Sequence, residues 1–172
     1  TGAAKVAMMR KSTGEAYAQI RAEAGSPKVD LWWGGTGDPH LQAALEQLTE
    51  PYRSPMLPEL HDWAQKQADR SNNRTVGVYA GALGIVYNPE ILPKRGMKEI
   101  RCWSDLLDAK LKDEVQVADP NSSGTAYTML ATLVQIMGED KGFEYMRKLH
   151  VNVNQYTKSG GAPVKATALG ET

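Results

Sequence analysis

An α/β fold in two lobes joined by extended segments is what this sequence predicts, on three observations. The first third alternates strand and helix signals. The second half alternates them again. Between the two lies a glycine-bearing extended stretch, residues 74–92, that carries period-2 patterning and no helical stripe.

The elements follow in order. Lys5–Met9 (KVAMM) is a short strand candidate. Ser12 with Glu15 three residues later is a capping box opening a helix, Ala16, Ile20 and Ala24 recur at helical spacing, and Gly25 is a C′ candidate. Val29–Trp33 reads as a strand that ends in glycines. Asp38-Pro39 reads as an N-cap followed by proline at the first helical position of PHLQAALEQL. ELHDWAQKQA is a short helix. RTVGVYAGALGIVYNPEIL, with Gly77, Gly81 and Gly84, reads as two strands broken near Ala80–Ala82, a crossover between lobes spanning residues 1–80 and 81–172.

In the second lobe, CWSDLLDAKLKD is a short helix with Ser104 or Asp105 near its start. EVQVAD is a strand. A long helix follows, with an apolar stripe of Ala126, Met129, Leu130, Leu133, Val134 and Met137 and a stop at Gly138. KGFEYMRKLH is another helix and VNVNQY a strand. SGGAPVKATALGE is a last helix with Pro163 in its first turn and Gly170 as its stop.

Lys+Arg and Asp+Glu both number 20, so the formal net charge is zero. A nucleic-acid binder usually carries a basic excess, and this chain carries none. Cys102 is the single cysteine, which excludes an intramolecular disulfide and a thiolate zinc cluster. Its neighbours Ile100 and Trp103 are apolar, so a buried, structural thiol is expected.

Three strand-to-helix turns share one design: GGTGDP (34–39), NSSGT (121–125) and SGG (159–161). A helix start offers unpaired N–H groups and about half a positive charge, so it attracts anions without any lysine. Glycine lets a ligand approach the backbone, and hydroxyls add donors. In parallel sheets such turns gather at the carboxyl edge, where ligands sit. Each turn alone is also explained by ordinary capping or a tight turn. The three together on one edge favour an anion site.

Enzyme motifs fail. GGTGDPH has no P-loop lysine, and a dinucleotide fingerprint would put its last glycine at His40. No G-x-S-x-G, S-x-x-K or H-E-x-x-H occurs. His40, His61 and His150 lack metal-ligand spacing. Trp32, Trp33, Tyr52, Tyr79 and Tyr87 are candidates to line a cleft or simply to pack.

DLWWGGTGDPH, VYAGALGIVYNPEIL, CWSDLLDAKLKDEVQVADPNSSGTAYTML and NQYTKSGGAPVKATALGET together resemble the periplasmic substrate-binding proteins of ABC transporters. The branch is the one usually labelled ferric-iron-binding, which also contains binders of sugar phosphates and phosphonates. D-P-x-S-S-G-T-A-Y is the most specific mark. The resemblance implies the type II periplasmic-binding-protein architecture, incomplete at both ends here, with ligand between two lobes. It implies ligand contacts at Ser122, Ser123, Gly124, Thr125 and Ala126, at Gly35, Thr36 and Asp38, and at Ser159 and Gly160. It also implies a periplasmic or cell-surface-tethered protein that docks on a membrane permease. No cofactor is implied; the expected ligand is Fe³⁺ or a phosphate-type anion, with metal ligands unassigned. A phosphate-handling α/β enzyme such as a phosphoesterase is the competing expectation, with only Asp38 and His40 near the turns to act; a pure interaction domain is the third.

Overall fold

The computed structural model describes residues 5–172. Its sheet lies in the second half. β1 (Val115–Ala118) and β2 (Val153–Thr157) pair in parallel, with Val117 opposite Tyr156 and Ala118 opposite Thr157. Parallel neighbours require a long crossover. Here it is a helix pair, α4 (Gly124–Met137) and α5 (Glu139–His150). The last helix, α6 (Gly161–Leu169), follows β2 directly.

The stripe on α4 turns inward as expected. Leu133 is fully buried in a core with Leu92, Ile100, Leu111, Val115, Tyr145 and Leu149, and Met129 and Met137 pack against it. Burying a leucine side chain of this kind stabilises by roughly 1.5–3 kcal/mol. Gly138 ends α4 at φ +82, a backbone that side-chain-bearing residues rarely adopt. Tyr145 on α5 donates its hydroxyl to the Trp103 carbonyl, and Asn152 Nδ2 donates to the carbonyls of Leu106 (2.8 Å) and Asp108 (3.0 Å). These bonds tie the irregular segment 102–112 to α5 and to the turn that leads into β2.

The first half holds α1 (Thr13–Ala22), α2 (Gly37–Leu45) and α3 (Asp62–Arg70), with a 3-10 turn at Leu57–Glu59 before α3. The Ser12–Glu15 capping box is present, with Ser12 N–H donating to Glu15 Oε2 at 3.3 Å.

Several expectations are corrected. Lys5–Met9, Val29–Trp33 and residues 74–88 run without helix and form no strand ladder; β1 and β2 make the only sheet among the described residues. Alternation specifies an extended backbone and its two faces, whereas a strand also needs a neighbour to exchange hydrogen bonds with. Val6, Met8, Leu31 and Trp33 are accordingly exposed. The cap of α2 is Thr36, not Asp38, because Pro39 is tolerated throughout the first turn, where N–H groups are unpaired anyway. Gly25 is not the C′ residue of α1. That helix closes at Glu23, whose N–H donates to Gln19 O at 2.9 Å. Segment 102–112 is a pair of 3-10 turns, Trp103–Leu107 and Ala109–Leu111, with the Asp105 carboxylate accepting from the N–H groups of Arg101 and Cys102. Cys102 is exposed, not buried: Ile100 turns into the core and the thiol faces Ser104 Oγ at 3.0 Å.

Candidate functional site

The turns after β1 and β2 lie side by side because they leave the carboxyl ends of paired parallel strands. Asp119 shapes the first. Its carbonyl accepts from the N–H groups of Ser122 (3.2 Å) and Ser123 (2.8 Å), and its Oδ1 accepts from Asn121 N–H at 2.8 Å. Ser123, buried and extended, caps α4 by accepting from Ala126 N–H at 3.4 Å. In the other turn, the Ser159 carbonyl accepts from Thr157 Oγ1 (3.0 Å) and Ala162 N–H (3.2 Å). The two helix starts then touch. A β-carbon placed on Gly160 would stand 2.5 Å from Thr125 Oγ1 and 3.2 Å from Ser123 Oγ, so glycine alone permits that approach.

The turn at residues 34–36 reaches the same place. A β-carbon on Gly124 would overlap Thr36 Oγ1 and stand 2.9 Å from Thr13 Oγ1. One on Gly35 would stand 2.6 Å from Thr13 Oγ1. Four helix N-termini therefore converge, those of α1, α2, α4 and α6. Thr36 Oγ1 is buried among them without a hydrogen-bond partner. A buried hydroxyl left unpaired costs about 1–3 kcal/mol and points to a group that would pair with it.

The charges are distributed unevenly. α1 and α2 carry Glu15 and Asp38 in their first turns, whereas α4 and α6 carry no acidic residue there. Acidic side chains offset the positive end of their own helix. The uncompensated positive ends are those of α4 and α6, where the first-turn N–H groups of Gly124 and Thr125 have no acceptor within their helix.

The expected site residues are thus sorted by position. Thr36, Ser123, Gly124, Thr125, Ala126 and Gly160 meet around the convergence, Thr125 exposed and Ser123, Gly124 and Ala126 buried. Ser159 stands exposed at its rim. Ser122 turns its hydroxyl to Lys158 O at 2.8 Å. Gly35 directs its N–H to Tyr79 Oη at 2.9 Å, and that hydroxyl donates back to Gly35 O at 3.1 Å. Asp38 is exposed in the second position of α2. Thr13 belongs to the neighbourhood and was not among the expected residues; Tyr79, expected only as a cleft-lining or packing aromatic, belongs to it too. Ser12-Thr13-Gly14 has the same composition as the other turns, but its capping box already explained it.

His40 stacks on Trp32 with ring centroids 3.7 Å apart and donates from Nε2 to Gly34 O at 2.7 Å. Burial pushes its pKa down, against the smaller opposing effect of the Gly34 bond, so the ring is neutral near pH 7 and braces the turn. Gly34 and Gly35 both hold positive φ, +81 and +94. The aromatic residues do not line one cleft: Trp32, Trp33, Tyr52 and Tyr79 border a groove on the first half, and Tyr87 borders another on the second. Among the described residues no group of three or more His, Cys, Asp or Glu could hold a metal ion, and no helix is long and apolar enough to cross a membrane.

The chain is similar to known proteins along nearly its whole length. Residues 26–171 match the family model described as bacterial extracellular solute-binding protein. The structure of the periplasmic binding protein AfuA from Actinobacillus pleuropneumoniae, with exogenous fructose-6-phosphate bound, superposes with a TM-score of 0.93 at 47% identity, covering 98% of this chain and 53% of that one. That of the periplasmic binding protein P5PA superposes at 0.84 with 38% identity, covering 95% and 52%. An uncharacterised Haemophilus influenzae protein is 45% identical over 168 residues, 97% of this chain and 49% of its own length. A putative 2-aminoethylphosphonate-binding periplasmic protein of Salmonella typhimurium is 29% identical over 154 residues, 88% and 40%. The chain spans about half the length of these relatives or less. The periplasmic-binding-protein fold and the matched family agree with the convergence of helix starts at one sheet edge: the chain belongs to the bacterial extracellular solute-binding protein family.

Proposed function

We propose that the protein captures a small phosphate-bearing organic solute, a sugar phosphate or a phosphonate, between lobes formed by residues 1–80 and 81–172. It hands that solute to the membrane permease of an ABC importer from the periplasmic side. The observation that carries this reading is the meeting of the α4 and α6 starts at Thr125 and Gly160, where no acidic residue stands in either first turn. Each start contributes about half a positive charge, and a phosphate dianion placed there accepts from N–H groups and hydroxyls at once. Thr13 and Thr36 supply further hydroxyls from the first lobe. The ligands named for two relatives, fructose-6-phosphate and 2-aminoethylphosphonate, both bear such a group.

Ferric iron as the transported solute has less support. Fe³⁺ is a hard cation that prefers several anionic oxygens, and this seat is built from donors. Enzymatic turnover has less support too, since the named relatives are binding proteins. Capture then works by stabilising the closed arrangement of the lobes, the hinge closure for which periplasmic binding proteins are a standard example.

Calorimetry on the intact protein tests the reading. Fructose-6-phosphate or 2-aminoethylphosphonate is expected to bind, and fructose is not. Binding of Fe³⁺ with neither phosphorus compound contradicts it.

A further inference from the structure

We propose that the first turn of α1, Ser12–Gly14, is the closing contact of the cleft, and that the absence of a side chain at Gly14 is what lets the lobes close. The inference rests on the solute-capture reading above and assigns a role to Ser12 and Gly14, which flank the seat hydroxyl of Thr13.

Two bonds and one steric fact carry it. Gly14 N–H donates to Ser122 O at 2.9 Å, across from the first lobe to the second. Ser12 Oγ donates to Lys158 O at 3.1 Å, and Ser122 Oγ donates to that same carbonyl at 2.8 Å. One turn of α1 is thereby bonded to both second-lobe turns that build the seat. A β-carbon on Gly14 would overlap Asn121 O and stand 3.0 Å from Ser122 O. These are backbone atoms, held in place by the Asp119 bonds described above, so they cannot swing aside as a side-chain tip would.

Nothing in α1 itself requires glycine at position 14. Its φ is not positive, and alanine is the better helix former by up to about 1 kcal/mol. The requirement comes from the other lobe. The latch is made of protein groups alone, so it favours the closed form whichever solute is bound. The affinity measured for any solute scales with the fraction of molecules able to close.

The experiment compares wild type, Gly14→Ala, Ser12→Gly and the control Gly25→Ala in the intact protein. Gly25 sits beyond the other end of α1, where an added β-carbon meets nothing. Affinity for fructose-6-phosphate and 2-aminoethylphosphonate is read by calorimetry, compaction by small-angle X-ray scattering, and folding by melting temperature. A latch predicts that Gly14→Ala melts no lower than wild type yet binds at least about tenfold more weakly, as expected when the closable fraction falls to about a tenth. It also predicts that Gly14→Ala loses ligand-induced compaction, that Ser12→Gly binds more weakly with a smaller change, and that Gly25→Ala matches wild type. Wild-type affinity in both Gly14→Ala and Ser12→Gly, with wild type itself binding and compacting, overturns the latch and leaves solute capture standing. A loss of binding matched by a lowered melting temperature in both variants makes the turn merely structural and also overturns it. A wild type that binds neither phosphorus compound overturns solute capture and the latch together.

Discussion

Thr36 and Gly124, 88 positions apart in sequence, lie so close that a β-carbon on Gly124 would overlap the Thr36 hydroxyl. That hydroxyl is buried without a partner. Gly124→Ala is therefore expected to push α2 away from α4 and to lower solute affinity, with an overpacking cost of about 1–3 kcal/mol. Thr36→Gly in the same molecule removes the nearer obstruction and leaves the Thr13 hydroxyl at 2.9 Å, a side-chain tip that can shift. A double-mutant cycle by calorimetry and thermal melting is expected to show strong coupling between the two substitutions. Additive effects would mean that the contact does not shape the seat.

Tyr79 closes both polar groups of Gly35 with one hydroxyl. Tyr79→Phe leaves the ring and frees the Gly35 N–H and carbonyl. Because Tyr79 is exposed, water replaces the lost bonds and the stability change is expected to stay within roughly 1 kcal/mol. Solute affinity is expected to fall through loosening of the 34–36 turn. The Gly35 amide proton should exchange faster in the variant, and hydrogen exchange measures it.

Tyr145 is buried, and its pKa is pushed up to about 12, first by burial and then by the nearby Cys102 and Asp105. The folded state thus holds the phenolic proton more tightly than the unfolded state does. The stability this gives is intact below about pH 10, the ordinary tyrosine value, and is lost as pH rises towards about 12. Tyr145→Phe is expected to cost about 1 kcal/mol near pH 7, by unpairing the Trp103 carbonyl. It should flatten the alkaline end of a pH–stability curve measured by denaturant unfolding.

His40 gives the opposite sign. Burial lowers its pKa, so the unfolded chain binds the proton more readily. Stability is then full above about pH 6.5 and falls as pH drops below that. His40→Phe keeps a ring against Trp32 and removes the titration. Its melting temperature is expected to vary less than that of wild type between about pH 7 and about pH 5.

The second half was largely legible because its signals are local. A serine cap at Ser122 or Ser123, the Leu133 stripe, Gly138 and Gly170 as stops and the β1 and β2 runs each declare themselves within a few residues, and the structure picks Ser123 as the cap. The first half was less so. Val29–Trp33 and residues 74–88 show their extended backbone in their alternation, but which strand pairs with them is not a local property. Asp38-Pro39 misled because a proline fits several first-turn positions. Ser12–Gly14 reads in sequence as a capping box alone, and a satisfied cap hides a second use of the same turn. The resemblance implies ligand contacts at Ser122 and Gly35, whereas their polar groups face Lys158 and Tyr79, which lie 36 and 44 positions away.

The central claim is that a phosphate group is held at the uncompensated starts of α4 and α6. Titrating fructose-6-phosphate and 2-aminoethylphosphonate into the intact wild type and into Ser123→Ala/Thr125→Val tests it most directly. Losing the Ser123 cap costs about 1 kcal/mol of stability. Losing donors to a charged group costs about 1.5–3 kcal/mol of binding each, roughly ten- to a hundredfold. The account predicts a folded double variant whose affinity falls at least that far. Unchanged affinity in the double variant would contradict it.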